Sequence, residues 1–228
     1  MQKKEVKMDH GAGSNADCRE RILEAAGEIF ADCGLRGATV RKICERARVN
    51  VAAINYYFGG KEKLYSEVLR HWHDFAIQKY PPLLGVGEDA PVEEQLRAFI
   101  RSFLFRLLDK GKPAWFGKLM AREMAEPTGA FDRMVHDVMR PLNKLLGSIV
   151  QKIVGDSVKE REILQCCTSI IGQCAYYYNS RYMTQLLGQD VSSPEEIERI
   201  ANHIMYFSLK GLEHYTETPK EIIGGEKR

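Results

Sequence analysis

Between Thr39 and Lys61 the chain reads TVRKICERARVNVAAINYYFGGK, and its side chains are of the kinds that read and grip a nucleic-acid duplex. Asn55 can pair bidentately with adenine N6 and N7, a contact worth about 1–3 kcal/mol of discrimination. Val51, Ala52 and Ala53 are small enough for close approach to base edges and can touch thymine methyls. Arg41 can reach a guanine edge or a phosphate. The hydroxyls of Thr39, Tyr56 or Tyr57 and the ammonium of Lys61 suit phosphate oxygens. From Arg36 to Lys63 seven Lys/Arg oppose two Glu, although the whole chain carries a formal net charge of only +2. A local basic patch on a near-neutral chain suits a phosphate-binding surface.

Chemistry on a reacting substrate has no comparable support. There is no GxSxG elbow, HExxH pair or phosphate-loop motif, and His71 and His73, two apart on a helix, fall on different faces. The six cysteines (18, 33, 44, 166, 167 and 174) lack the CxxC or Cys/His spacing of a zinc site. Cys167 and Cys174 share a helix face two turns apart, which is too far to bridge within one helix. Most cysteines fall in apolar helical patterns as small core residues, and a cysteine-based redox sensor stands as an alternative role. No enzyme activity, metal or cofactor is expected. The charged start MQKKEVK has no apolar signal core, and no apolar run reaches the ~18 residues of a membrane span. The expected setting is the cytoplasm, with no membrane partner.

The elements that must hold these residues all carry helix signals, so the expected fold is all-α: a three-helix head and a larger helical body. Residues 1–16 are polar and read as a disordered tail, in which Lys3, Lys4 and Lys7 can serve as a basic arm. Residues 17–62 form the head and 63–228 the body. Asp17 and Glu20 have capping-box spacing at the start of a stripe of Ile22, Ala25, Ala26, Ile29, Phe30 and Cys33. Thr39 caps a second helix packed through Val40, Ile43, Cys44 and Ala47, and Asn50 caps a third that buries Ile54 and Phe58. Gly59-Gly60 ends that helix, and Lys61 opens a fourth reaching about Tyr80. Further helices are predicted near 92–109, 114–125, 130–154, 158–187 and 194–215. Pro141 should kink or split the third of these. Ser157 with Glu160, and Ser193 with Pro194 and Glu196, mark the starts of the last two.

The second and third helices form a helix-turn-helix, in which the second member lies in the major groove. ILEAAGEIFADCGLRGATVRKICERARVNVAAINYYFGGKEKLYSEVL, residues 22–69, closely resembles the N-terminal domain of the tetracycline-repressor (TetR) family of bacterial regulators. The resemblance implies a homodimeric repressor on a palindromic double-stranded DNA operator, released by a small molecule in the C-terminal body. By position, Arg41 matches a base- or phosphate-contacting arginine, Val51 to Asn55 the base-reading segment, and Lys61 a phosphate-contacting lysine. Two departures stand out. Arg48 replaces the usual turn glycine, which bears on the turn geometry or adds a phosphate contact. Asn55 and Tyr56 stand where many members have Tyr and a varied residue, so the operator sequence does not transfer.

In the body, FGKLMAREMAEPTGAFDRMVHDVMRP and IIGQCAYYYNSRYMTQLLG resemble the subgroup of that family typified by CecR. This implies a ligand-responsive repressor with an effector whose identity stays open. Candidate ligand contacts are Phe103, Trp115, Phe116, Met120, Arg122, Glu123, Met124, His136, Gln173 and Tyr177, an aromatic and sulfur-rich set with a few polar groups. Stripes at Ile163, Leu164, Cys167, Ile170, Ile171 and Cys174, and at Ile197, Ile200, Ile204 and Phe207, exceed what one internal neighbour covers and suggest a four-helix dimer face. An alternative use of the same fold is a DNA-bound interaction protein controlled by a protein partner.

Overall fold

The computed structural model describes residues 13–110, 113–188 and 190–216, which are helices and connecting turns with no strand among them. Lys3, Lys4 and Lys7 of the expected tail lie outside the described residues. The chain divides into two compact units, Met1–Trp72 and His73–Arg228.

The first unit holds α1 (Gly13–Gly37), α2 (Val40–Ala47), α3 (Val51–Phe58) and the first part of α4 (Lys61–Lys79). α1 begins at Gly13, upstream of the Asp17–Glu20 start, and Asp17 pairs with Arg21 one turn on, at 3.4 Å. Residues 13–16 therefore continue the helix. Gly34 near its end takes φ 69°, a left-handed conformation that favours glycine. Ile22, Ala26 and Phe30 of α1, Ile43 and Ala47 of α2, Ile54 and Phe58 of α3, and Leu64 and Tyr65 of α4 are all buried. Each large apolar side chain here contributes about 1.5–3 kcal/mol by leaving water. Phe30 meets Tyr65 edge to face at 4.8 Å. Gly27 admits the Trp72 indole, since a Cβ there would lie 2.1 Å from Nε1.

The second unit contains the rest of α4, then α5 (Val92–Leu108), α6 (Pro113–Ala125), α7 (Gly129–Met134), α8 (Arg140–Val154), α9 (Glu160–Asn179), α10 (Arg181–Leu186) and α11 (Pro194–Thr216). α5 packs against α6, α8, α9 and α11. The 130–154 segment is split as Pro141 requires. α7 passes into a π-helical turn over Val135–Met139, and Arg140 N–H donates to the Val135 carbonyl five residues back. Pro141 at the head of α8 has no N–H to extend an α ladder across the join.

Two expectations change. The single helix over 158–187 breaks at Ser180, whose backbone leaves the helical region (φ −94°, ψ 6°) while its Oγ donates to the Tyr176 carbonyl at 2.6 Å. Its start also shifts: Lys159 is the cap, and Glu162 accepts from its N–H at 3.1 Å, in place of the Ser157–Glu160 pair. Ser193 does cap α11, accepting from Glu196 N–H at 3.2 Å.

The apolar stripes of α9 and α11 are mostly covered within one chain. Ile163, Cys167, Ile170, Cys174, Ile197, Ile200 and Ile204 are buried in the body core. The large apolar side chains those helices leave exposed are Leu164 and Tyr176 on α9 and Tyr206 and Phe207 on α11. Among the described residues, no helix is long and apolar enough to cross a membrane.

Candidate functional site

α2 and α3 are held by caps that their sequences supply. Thr39 Oγ1 accepts from Lys42 N–H at 3.3 Å, and Asn50 Oδ1 accepts from Ala53 N–H at 2.9 Å. Between them Arg48 takes a left-handed conformation (φ 55°, ψ 48°) and closes α2 through its N–H. The turn thus keeps the backbone shape that usually calls for glycine, at a cost for a residue with a Cβ, and the Arg48 side chain is exposed. Gly59, at φ 72°, closes α3 by donating to the Asn55 carbonyl at 2.9 Å.

Ile54 and Phe58 are buried and fix the roll of α3. The opposite face then shows Val51 (52% exposed), Ala52, Asn55 and Tyr56 (76% exposed), with Ala53 half-buried at its edge. Tyr57 is half-buried, packs edge to face on Tyr56 and hydrogen-bonds Asn15 of α1. Arg41 is exposed and pairs with Glu45 at 2.9 Å, a contact that a phosphate can displace at little cost. Lys61 is half-buried, and its ammonium donates to the carbonyls of Leu35 (3.0 Å) and Ala38 (3.1 Å). It therefore ties α4 to the end of α1 and keeps a third donor to spare. The ten residues chosen from the sequence are thus gathered around one short helix, with Lys61 and Tyr57 also serving the packing of the unit.

The body holds a cavity of about 260 Å³ between α4, α5, α6, the π-helical turn, α8 and α9. Of the ten ligand contacts expected, Phe103, Phe116, Met120 and Met124 line it. Trp115, Arg122, Glu123, His136, Gln173 and Tyr177 are not among its lining residues. Glu123 is buried but accepts from the N–H and Oγ1 of Thr128 at 2.9 and 3.1 Å, organising the start of α7. Gln173 donates to Ser169 O and Ser208 Oγ, and His136 is exposed beside Asp137. The polar wall comes instead from His73, Arg106, Asn143, Tyr178 and Asn179. Arg106 was not among the residues expected from the sequence, although Phe103, Ser102 and Phe99 stand three, four and seven residues before it. That spacing puts a cation on the buried stripe of α5, and it was the available signal.

Three cysteines of the body are poorly suited to redox chemistry. Burial pushes the thiols of Cys167 to about 11 and Cys174 to about 12, and raises Cys166 as well. A protonated, buried thiol is a poor nucleophile. Among the described residues no cluster of His, Cys, Asp and Glu could hold a metal ion.

Comparison with known proteins fits both units. Residues 22–68 match the family described as bacterial regulatory proteins, tetR family, and residues 92–212 match the C-terminal domain of the HTH-type transcriptional dual regulator CecR. The chain belongs to the TetR family. Its body is of the CecR type. CecR of Shigella flexneri is 28% identical over 163 residues, covering 68% of this chain and 73% of that protein. The transcriptional repressor KstR2 of Mycolicibacterium smegmatis is 33% identical over 88 residues, covering 39% of this chain and 42% of its own. Among solved structures, AibR in complex with isovaleryl coenzyme A and operator DNA aligns with a TM-score of 0.63 at 18% identity, over 83% of this chain and 97% of that one. As a TetR-family protein this chain is a DNA-binding transcriptional regulator.

Proposed function

We propose that the chain is a sequence-specific repressor that binds a palindromic operator as a homodimer and is released by a small molecule in its C-terminal body. The observation that carries this reading is the face of α3. Two buried anchors leave small side chains, one amide and one phenol turned outward, in the order that a major-groove helix needs. Residues 17–62 supply DNA binding, and residues 63–228 supply ligand binding and dimerisation. Asn55 with Val51, Ala52 and Ala53 read bases, while Thr39, Arg41, Arg48, Tyr56, Tyr57 and the spare donor of Lys61 hold phosphates.

The dimer face uses Leu164 and Tyr176 of α9 with Tyr206 and Phe207 of α11, apolar side chains left uncovered on two helices that already pack together. Two recognition helices then sit about one DNA turn apart, roughly 34–36 Å. α4 is a continuous helix whose residues belong to both units. A ligand that prefers a body in which α4 is displaced lowers operator affinity by its differential affinity for the two states. The apolar cavity favours a small effector over a protein partner, and AibR, solved with an acyl coenzyme A and DNA, shows the same fold engaging both kinds of molecule. The setting is the cytoplasm, where such an operator is found.

The test is a footprint of the purified protein on DNA flanking its own gene, repeated across a salt series. A protected palindrome whose affinity falls steeply with salt supports the proposal. Binding that is independent of sequence, or no binding by protein freed of ligand by refolding, refutes it.

A further inference from the structure

The cavity of the body is apolar over most of its wall but carries three buried polar groups that find no partner. Arg106 is 3% exposed, Tyr178 6% and His73 9%. Arg106 Nη2, Tyr178 Oη and His73 Nε2 are each without a hydrogen bond, and all three residues line this one cavity. Buried polar atoms are rarely left unsatisfied unless the site has another use.

Arg106 is the decisive group. Its Nε donates to the Ser102 carbonyl at 3.3 Å and its guanidinium lies 5.5 Å from the Phe103 ring centre, but among the described residues no carboxylate pairs with it. Burial pulls the guanidinium down only to about 10, so it is charged at neutral pH. The nearby Cys174 thiol is held protonated and supplies no counter-charge. Arg181 covers the Tyr178 ring at 4.5 Å and its guanidinium lies beside the phenol oxygen, short of a well-formed hydrogen bond, so the O–H is left to donate. His73 is kept neutral by burial, and Asp74 Oδ1 accepts from its Nδ1 at 3.1 Å, which leaves Nε2 an acceptor. The wall therefore offers one fixed cation, one hydroxyl donor and one acceptor on an aromatic and thioether surface. Isolated buried charge is costly, and a ligand anion is the partner that offsets it.

We propose that this cavity binds an organic acid: an apolar chain or ring ending in a carboxylate, with Arg106 as its counter-ion and Tyr178 as its second donor. Scaling from the ~150 Å³ cavity that holds benzene, a volume of about 260 Å³ takes a molecule of roughly ten non-hydrogen atoms. Phe103, Phe116 and Met120 cover the apolar part. The inference deepens the ligand-release reading above by naming its ligand class, and its test is kept independent of DNA.

The experiment is isothermal titration of the full-length protein, without DNA, with octanoate and with octan-1-ol, which share a chain and differ in charge. Octanoate should bind one site per chain at least tenfold more tightly. Arg106→Met should cost octanoate roughly tenfold to a hundredfold, the range of a charge-assisted hydrogen bond, and leave octan-1-ol within about twofold. Tyr178→Phe, a one-atom change that keeps the ring, should weaken octanoate alone and guards against a misfolded Arg106 variant. Equal binding of acid and alcohol, or octanoate affinity indifferent to both substitutions, overturns the proposal. Octanoate that binds as stated while the operator complex stays intact supports the cavity assignment and refutes release. Protein that protects its operator but takes up no octanoate overturns the cavity assignment alone.

Discussion

Two asparagines five residues apart separate what α3 needs to fold from the base reading proposed for it. Asn50 is the cap, and its Oδ1 accepts from Ala53 N–H at 2.9 Å. Asn50→Ala removes that acceptor and should cost about 1 kcal/mol of stability, or about 2–4 °C in melting temperature for a protein of this size. Asn55 has an exposed side chain, and its backbone carbonyl, which accepts from Gly59, is untouched by substitution. Asn55→Ala should therefore leave stability within about 0.5 kcal/mol, because alanine is also the better helix former. Its effect belongs to the operator. Losing a bidentate adenine contact costs about 1–3 kcal/mol at each half-site, hence about 2–6 kcal/mol for a dimer on a palindrome if the half-sites add. That is a weakening of roughly 30-fold to 20,000-fold. Fluorescence anisotropy on the footprinted segment at fixed salt, beside thermal melts of the same preparations, measures both quantities. The salt slope should be unchanged for Asn55→Ala, since no phosphate contact is lost. An Asn55→Ala protein of native stability that binds the operator within twofold of wild type would refute base reading by this residue.

Three further outcomes follow from the body. Arg106→Met should leave the ligand-free protein as stable as wild type or more stable, by up to about 4 kcal/mol, because an apolar side chain replaces a buried unpaired cation; a lower denaturation midpoint would show that the guanidinium has a structural partner. Burial holds the His73 imidazole below the ordinary 6.5, so as pH falls under 6.5 the unfolded chain takes up a proton there that the folded chain does not. Stability from this group is complete above 6.5 and is lost as pH falls toward the folded value. His73→Phe should then flatten the decline in melting temperature between pH 7 and pH 5, and an unaltered decline would be the contrary result. Phe207→Glu places a charge on the exposed apolar surface of α11 and should yield monomers in sedimentation velocity with the melting temperature of the chain nearly kept. A variant that still sediments as a dimer would exclude that face.

The head was legible because its determinants are local. Thr39 and Asn50 cap the two helices as their types predict, Ile54 and Phe58 share a face four residues apart, and Gly59 takes the left-handed backbone that ends α3. Arg48, a residue with a Cβ in a conformation that suits glycine, stands out only against the glycine usual at that turn in the family. The body resisted reading where one local side-chain bond redirects the backbone, as at Ser180, or where the deciding contact is distant in sequence. Ser180 breaks a helix that its flanking pattern continues, and the α9 and α11 stripes, wide enough to suggest a partner, are largely covered by the core of one chain, in which α5 and α8 also pack. The polar residues expected in a pocket, Glu123 and Gln173 among them, went to caps and interhelical hydrogen bonds.

Arg106 shows why the cavity could not be assembled from pattern alone. Its spacing puts it on the buried stripe of α5, but only α6 and α9 closing over that helix show that its guanidinium meets no counter-charge. Once buried it breaks the rule that the rest of the body obeys, in which polar groups such as Glu123, Ser102 and Gln95 all find partners. A sequence that satisfies its interior so consistently and leaves three unpaired groups facing one apolar cavity has placed the inconsistency where a ligand can resolve it. The body is less stable without an anion than an apolar replacement would make it, so an acid that fills the site stabilises the conformation that holds Arg106 and Tyr178 against it. On the proposed ligand-release mechanism, the acid frees the operator only where that conformation is one in which α4 does not suit it.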